Sequence, residues 1–163
     1  MWFGIARWFI FVFALLFVQI SLLRVFGGLS LIVPNLLLVI VVYLGFYRIN
    51  LAGLLASFGL GLLFDIASGG LLGPWSAAFV LVYCLVVTCS QRLFPDATLA
   101  IVLIGGASSM IATTLYITIF SLVSPTNQTV PVLGSWLIVE AIVTGCSAPL
   151  VMLLCRKITR QEN

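Results

Sequence analysis

Two carboxylates in this sequence stand against apolar runs where an acid is costly. They are Asp65, in GLGLLFDIASGGLLG (59–73), and Glu140, eight residues past Val132. An ionisable group about 12 Å into a helical apolar run points to function by default. It can stay protonated, pair with a cation such as Arg24, or bind something in a cavity. Gln19 adds an amide and Arg24 a guanidinium to the first apolar run. The segment GGASSMIATTLYIT adds hydroxyls: Gly105, Ser109 and Thr113 share one four-residue spacing, with Gly106, Met110 and Thr114 beside them. These groups suit helix packing or a polar cavity, and they make no recognisable reaction set. The chain has no histidine, the commonest acid–base group and metal ligand. Cys84, Cys89, Cys146 and Cys155 fall inside apolar segments without CxxC spacing and read as small buried hydrophobes. Gly59-Leu60-Gly61 lacks the Gly-Lys-Ser/Thr ending that grips phosphates. No catalytic residue, cofactor or metal site is expected.

Asp65 belongs to a pattern. Gly53, Ser57, Gly61 and Asp65 recur every fourth residue, which places them on one helical face. Small residues at that spacing let another helix approach closely. The stripe is expected either to pack within the bundle or to receive a partner's transmembrane helix, with Gly69 and Gly73 in the turn that follows. Asp65 itself sits near a helix C-terminus, where the macrodipole disfavours a negative charge. Three resolutions are open: an ion pair with Arg24, hydrogen bonds from free backbone N–H groups around residues 69–75, or a solvated carboxylate at headgroup level.

The elements that carry these residues are apolar helices. Of 163 residues, 63% are hydrophobic and 7% charged, against roughly 45–50% and about 25% in soluble domains. The charges sit between the apolar runs rather than within them. Runs such as LLLVIVVYLGF do not alternate, so a membrane β-barrel is excluded. The segment after Arg7 has the flank and core of a signal peptide but no Ala-x-Ala cleavage site, so it reads as a retained span. The expected fold is an all-α integral membrane protein: one polytopic domain over 1–163, with six transmembrane helices in one bundle. The spans fall at about 8–24, 31–47, 51–65, 74–91, 97–123 and 132–155. The third is short, about 15 residues or ~22 Å, so a re-entrant pair formed by the second and third is the alternative.

Orientation follows from the cations. With a cytoplasmic N-terminus, Arg7, Arg48, Arg92, Arg156, Lys157 and Arg160 lie inside and Arg24 alone lies outside. Both termini are therefore expected in the cytoplasm, with loops 25–30, 66–73 and 124–131 outside. The net charge of +3 is this orientation signal, not a nucleic-acid footprint. Trp2, Trp8, Trp75 and Trp136 fall near span ends, as interfacial anchors do.

Several stretches resemble the MreD family of rod shape-determining proteins of bacterial inner membranes. They are Phe17-Val18-Gln19-Ile20, Val33-Pro34-Asn35 followed by LLLVIVVYLGFYR, the stretch from Gly61 to Gly73 with Asp65, Ser68 and Gly69, and Leu154-Cys155-Arg156-Lys157. The resemblance implies a non-enzymatic scaffold of the cell-elongation complex that helps maintain rod shape by positioning lateral peptidoglycan synthesis. It implies binding to an MreC-like single-pass protein, and indirectly to MreB filaments, RodA and a class B penicillin-binding protein, among membrane lipids. It further implies a fold like the substrate-binding subunits of energy-coupling-factor transporters. That likeness supplies the alternative expectation, a small-molecule or lipid-binding subunit with Gln19, Glu140 and the fifth-span hydroxyls lining a cavity.

Overall fold

The computed structural model describes residues 2–25, 34–69, 72–90, 98–123 and 133–160. Among them stand six helices: α1 (Trp2–Val25), α2 (Leu36–Tyr47), α3 (Leu51–Ser68), α4 (Pro74–Ser90), α5 (Thr98–Val123) and α6 (Leu133–Arg160). Three stretches, Leu51–Ser68, Leu99–Ile119 and Leu137–Thr159, are long and apolar enough to cross a membrane.

Helix boundaries have local causes. Asn35 caps α2 by accepting the Leu38 N–H at 3.2 Å. Asn50 caps α3 by accepting the Gly53 N–H at 2.8 Å, the usual use of an asparagine oxygen on an orphan donor. Gly69 ends α3 in the left-handed conformation at φ 67°, and Pro74 opens α4 where a missing N–H loses nothing. These caps correct two expected boundaries. The third helix runs 18 residues to Ser68 rather than stopping at 65, about 27 Å of rise. The short helix is α2, which spans 12 residues and begins at Leu36 rather than 31.

α2 is the centre of the bundle. It touches every other helix, and each residue from Leu36 to Tyr43 is buried. A helix apolar on all sides has no face to turn to a surrounding medium, so burial on all sides is its stable position. α3 and α4 pair as an antiparallel hairpin, as do α5 and α6. α2 runs parallel to α6. The Asn35 N–H donates to Thr144 Oγ1 at 3.1 Å, and Tyr43 Oη lies 2.9 Å from Thr159 Oγ1 two turns on.

One end of the bundle gathers the start of α1, the end of α2, the start of α3 and the end of α6. Trp8 lies against Tyr43 there, and Arg156 donates to Tyr47 Oη. The opposite end holds the α3–α4 turn, where Trp75 stacks on Tyr116 at 4.6 Å. Trp75 is buried between Phe64, Phe79 and Tyr116, so it is a packing residue rather than the interfacial anchor expected of it. The side chains of Trp2 and Trp136 lie outside the described residues, as do loops 26–33 and 124–132.

Candidate functional site

The stripe of small residues on α3 faces α4 of the same chain. A Cβ on Gly61 would stand 2.3 Å from Ser76 Cα, and one on Gly53 would meet Arg48 O at 2.3 Å and Tyr83 Oη at 2.7 Å. Ser57 is fully buried and turns its hydroxyl back to Gly53 O at 2.8 Å. With no side chain at 61 the α3 and α4 backbones come into direct contact, and with none at 53 the Tyr83 ring lies against α3; close approach of this kind is how membrane helices gain packing energy. Tyr83 locks the near end, its hydroxyl lying 2.7 Å from Arg48 O and 3.1 Å from Asn50 O. A partner helix therefore finds this stripe already filled by α4.

Asp65 ends that stripe at 1% exposure. Its Oδ2 accepts the Gly73 N–H at 2.9 Å and the Ser76 N–H at 3.2 Å, and its Oδ1 accepts the Trp75 N–H at 3.1 Å. The Ser76 hydroxyl lies 3.2 Å from Oδ2 and 2.9 Å from Gly73 O. Pro74 carries no N–H, so the carboxylate collects every backbone donor from Gly73 through Ser76. The residue at the unfavourable end of α3 thereby sits at the favourable, positive end of α4. The turn that makes this reach feasible places Gly69 and Gly73 at φ 67° and 119°, a region that L side chains rarely enter. The Arg24 side chain lies outside the described residues.

Glu140 lies on α6, seven residues or about 10 Å past the helix start. Ser109 Oγ donates to its Oε1 at 3.1 Å, and Thr113 Oγ1 lies 3.0 and 3.1 Å from its two oxygens. The predicted stripe Gly105–Ser109–Thr113 thus faces α6. A Cβ on Gly105 would lie 2.8 Å from Ala148 Cβ, and one on Gly145 would lie 2.8 Å from Val102 O. Glu140 also stands one turn beyond Thr144, the residue that receives the Asn35 N–H at the start of α2. A carboxylate at that level lies towards the positive end of the buried helix. In the sequence Asn35 stands out only through the Pro-Asn pair ahead of an apolar run, with no sign of a capping or pairing role, and nothing singles out Thr144.

Gln19 continues the inward face of α1 set by Trp8, Phe11, Val12, Leu15 and Leu16. It is 3% exposed, and its Oε1 has no hydrogen-bond partner among the described residues. The cysteines depart from expectation: Cys155 is buried, whereas Cys84, Cys89 and Cys146 face outward. No group of three or more metal-ligating side chains occurs among the described residues.

Apolar helices packed around a central buried helix, with acids held by caps and hydroxyls, define an all-helical membrane protein whose polar groups serve its own architecture. The chain belongs to the MreD family of rod shape-determining proteins, whose family model matches residues 4–158, nearly its whole length. The family is one of shape-determining structural proteins of the membrane and is not known as enzymatic. No curated protein and no solved structure matches the chain.

Proposed function

We propose that this protein is a six-span, non-enzymatic scaffold of the bacterial cell-elongation complex. It binds an MreC-like single-pass protein and, through it, associates with MreB filaments, RodA and a class B penicillin-binding protein. Its mechanism is positional: it holds partners in one membrane assembly so that filament direction guides peptidoglycan insertion. The observation that carries this reading is the internal use of polar chemistry in a rod shape-determining family member. Asp65 caps α4, and Glu140 takes the α5 hydroxyls. Because α4 fills the Gly53–Gly61 stripe, partner docking falls to the outward faces of the bundle, while Asp65, Gly69 and Gly73 act by holding the hairpin that shapes them.

Both termini lie in the cytoplasm in this proposal. Arg7, Arg48, Arg156 and Lys157 share one end of the bundle, as the positive-inside rule requires. Native mass spectrometry of the gently extracted protein tests the scaffold. A complex whose added mass equals that of an MreC-like protein is expected. A second reading, a small-molecule or lipid-binding subunit, draws on the Gln19 carbonyl, unpartnered among the described residues, and on Glu140. It predicts a lone subunit that retains a defined small molecule, and that outcome would replace the scaffold.

A further inference from the structure

The basic end of the bundle carries more organisation than an orientation signal needs. Tyr43 and Tyr47 lie one turn apart on α2 with ring centroids 4.8 Å apart, and Trp8 of α1 stands 6.1 Å from Tyr43. Arg156 of α6 lies over the Tyr47 ring, 5.3 Å from its centroid, and donates to the Tyr47 hydroxyl. The contact between Tyr43 and Thr159 fixes the end of α6 against α2. The guanidinium is therefore held in place by two helices rather than left to sample solvent. Arg48 follows Tyr47 directly and is exposed, and Lys157 follows Arg156 and is exposed. Neither described acid lies at this end: Asp65 caps α4 at the opposite end and Glu140 sits about 10 Å inside the start of α6; Asp96 and Glu162 lie outside the described residues.

We propose that Arg156, seated on Tyr47, and the exposed Arg48 and Lys157 that flank this pair in sequence form a binding site for the phosphate headgroup of an anionic phospholipid. Charge complementarity selects an anion, and a guanidinium fork matches phosphate oxygens. The flanking surface selects a lipid. Ile49 is 56% and Leu51 72% exposed beside Arg48, and Leu153 and Leu154 are exposed beside Arg156. Cations at the edge of exposed apolar surface suit a molecule with phosphate at one end and acyl chains at the other. An acidic peptide arriving from water would leave that apolar border unused. Basic pockets between transmembrane helices bind lipid headgroups in this way.

The test uses the full chain in a neutral detergent, with thermal stability read against added phosphatidylglycerol, phosphatidylcholine, inorganic phosphate or a polyglutamate peptide. A saturable rise with phosphatidylglycerol alone is expected. Tyr47→Leu changes no charge, so it separates a built site from bulk positive charge. It is expected to weaken the apparent affinity about threefold through loss of the cation–π seat. Arg48→Gln, at an exposed position, is expected to weaken it about fivefold and serves where Tyr47→Leu fails to fold. Equal responses to phosphatidylglycerol and phosphatidylcholine overturn the site. So does an unchanged phosphatidylglycerol response in both variants. A response to inorganic phosphate or polyglutamate that matches the lipid's overturns the assignment to a phospholipid.

Discussion

Asp65 shows how one side chain can join two helices whose dipoles oppose it and favour it in turn. Its three backbone donors all come from the first turn of α4 or the residue before it. Hydrogen bonds to a charged group contribute about 1.5–3 kcal/mol each, and breaking one strands its buried partner. Asp65→Asn keeps the shape, removes the charge and points an amide N–H₂ at backbone donors. It is expected to lower stability by about 2 kcal/mol, read as an earlier thermal transition of the purified protein. An unchanged transition would mean that the carboxylate is solvated rather than a cap. Thr144 makes a parallel case. Thr144→Val is close in shape but leaves the buried Asn35 N–H without its acceptor, at an expected loss of about 1–3 kcal/mol in the same assay. The sequence marked Asp65 as an anomaly and left three resolutions open, because the donors that settle it lie eight to eleven residues away across a turn. Asn35 and Thr144 are 109 residues apart, and no local pattern links them.

At the scale of the element, the α3–α4 hairpin depends on Gly53 and Gly61 being bare. Gly61 and Gly59 sit two residues apart in the same helix, and only Gly61 meets a neighbour: Ser76 Cα would lie 2.3 Å from its Cβ, while Gly59 has nothing within 4 Å. Gly61→Ala is expected to destabilise the protein by about 1–3 kcal/mol through overpacking. Gly59→Ala is expected to be neutral or to stabilise by up to about 1 kcal/mol through helix propensity. A pair of melting curves decides it, and equal effects would show that the hairpin does not pack along this stripe. The four-residue spacing was legible in the sequence, as was its meaning as a helix contact. The identity of the partner helix was not, since close approach requires only a small residue and says nothing of what approaches. The cysteines carry the same lesson. Their apolar surroundings suggested burial, yet three of the four face outward, because a membrane bundle is apolar on both sides of each helix.

At the scale of the whole molecule, Arg7, Arg48, Arg156 and Lys157 gather at the end that joins the start of α1, the end of α2, the start of α3 and the end of α6. Of the two described acids, Asp65 sits at the α3–α4 turn of the opposite end and Glu140 about 10 Å inside the start of α6. With the basic end in the cytoplasm, a reporter active only in the cytoplasm should signal when fused after Lys157 and stay silent when inserted at Gly69. A signal of the reverse pattern would invert the topology while leaving the packing intact.

The sequence by itself determined the helical membrane class, the family resemblance, the approximate count and limits of the apolar runs, and the residues too polar or too small to be idle. Composition and the chemistry of Asn, Gly and Pro at helix ends act locally, so they can be read along the chain. Only the tertiary structure decided that α2 is the enclosed centre, that α4 occupies the small-residue stripe, and that Asp65 belongs to the helix after its own. Those facts depend on rotation about helix axes. In a bundle that is apolar towards both its core and its surroundings, hydrophobic periodicity carries little information about rotation; contact between specific side chains supplies it.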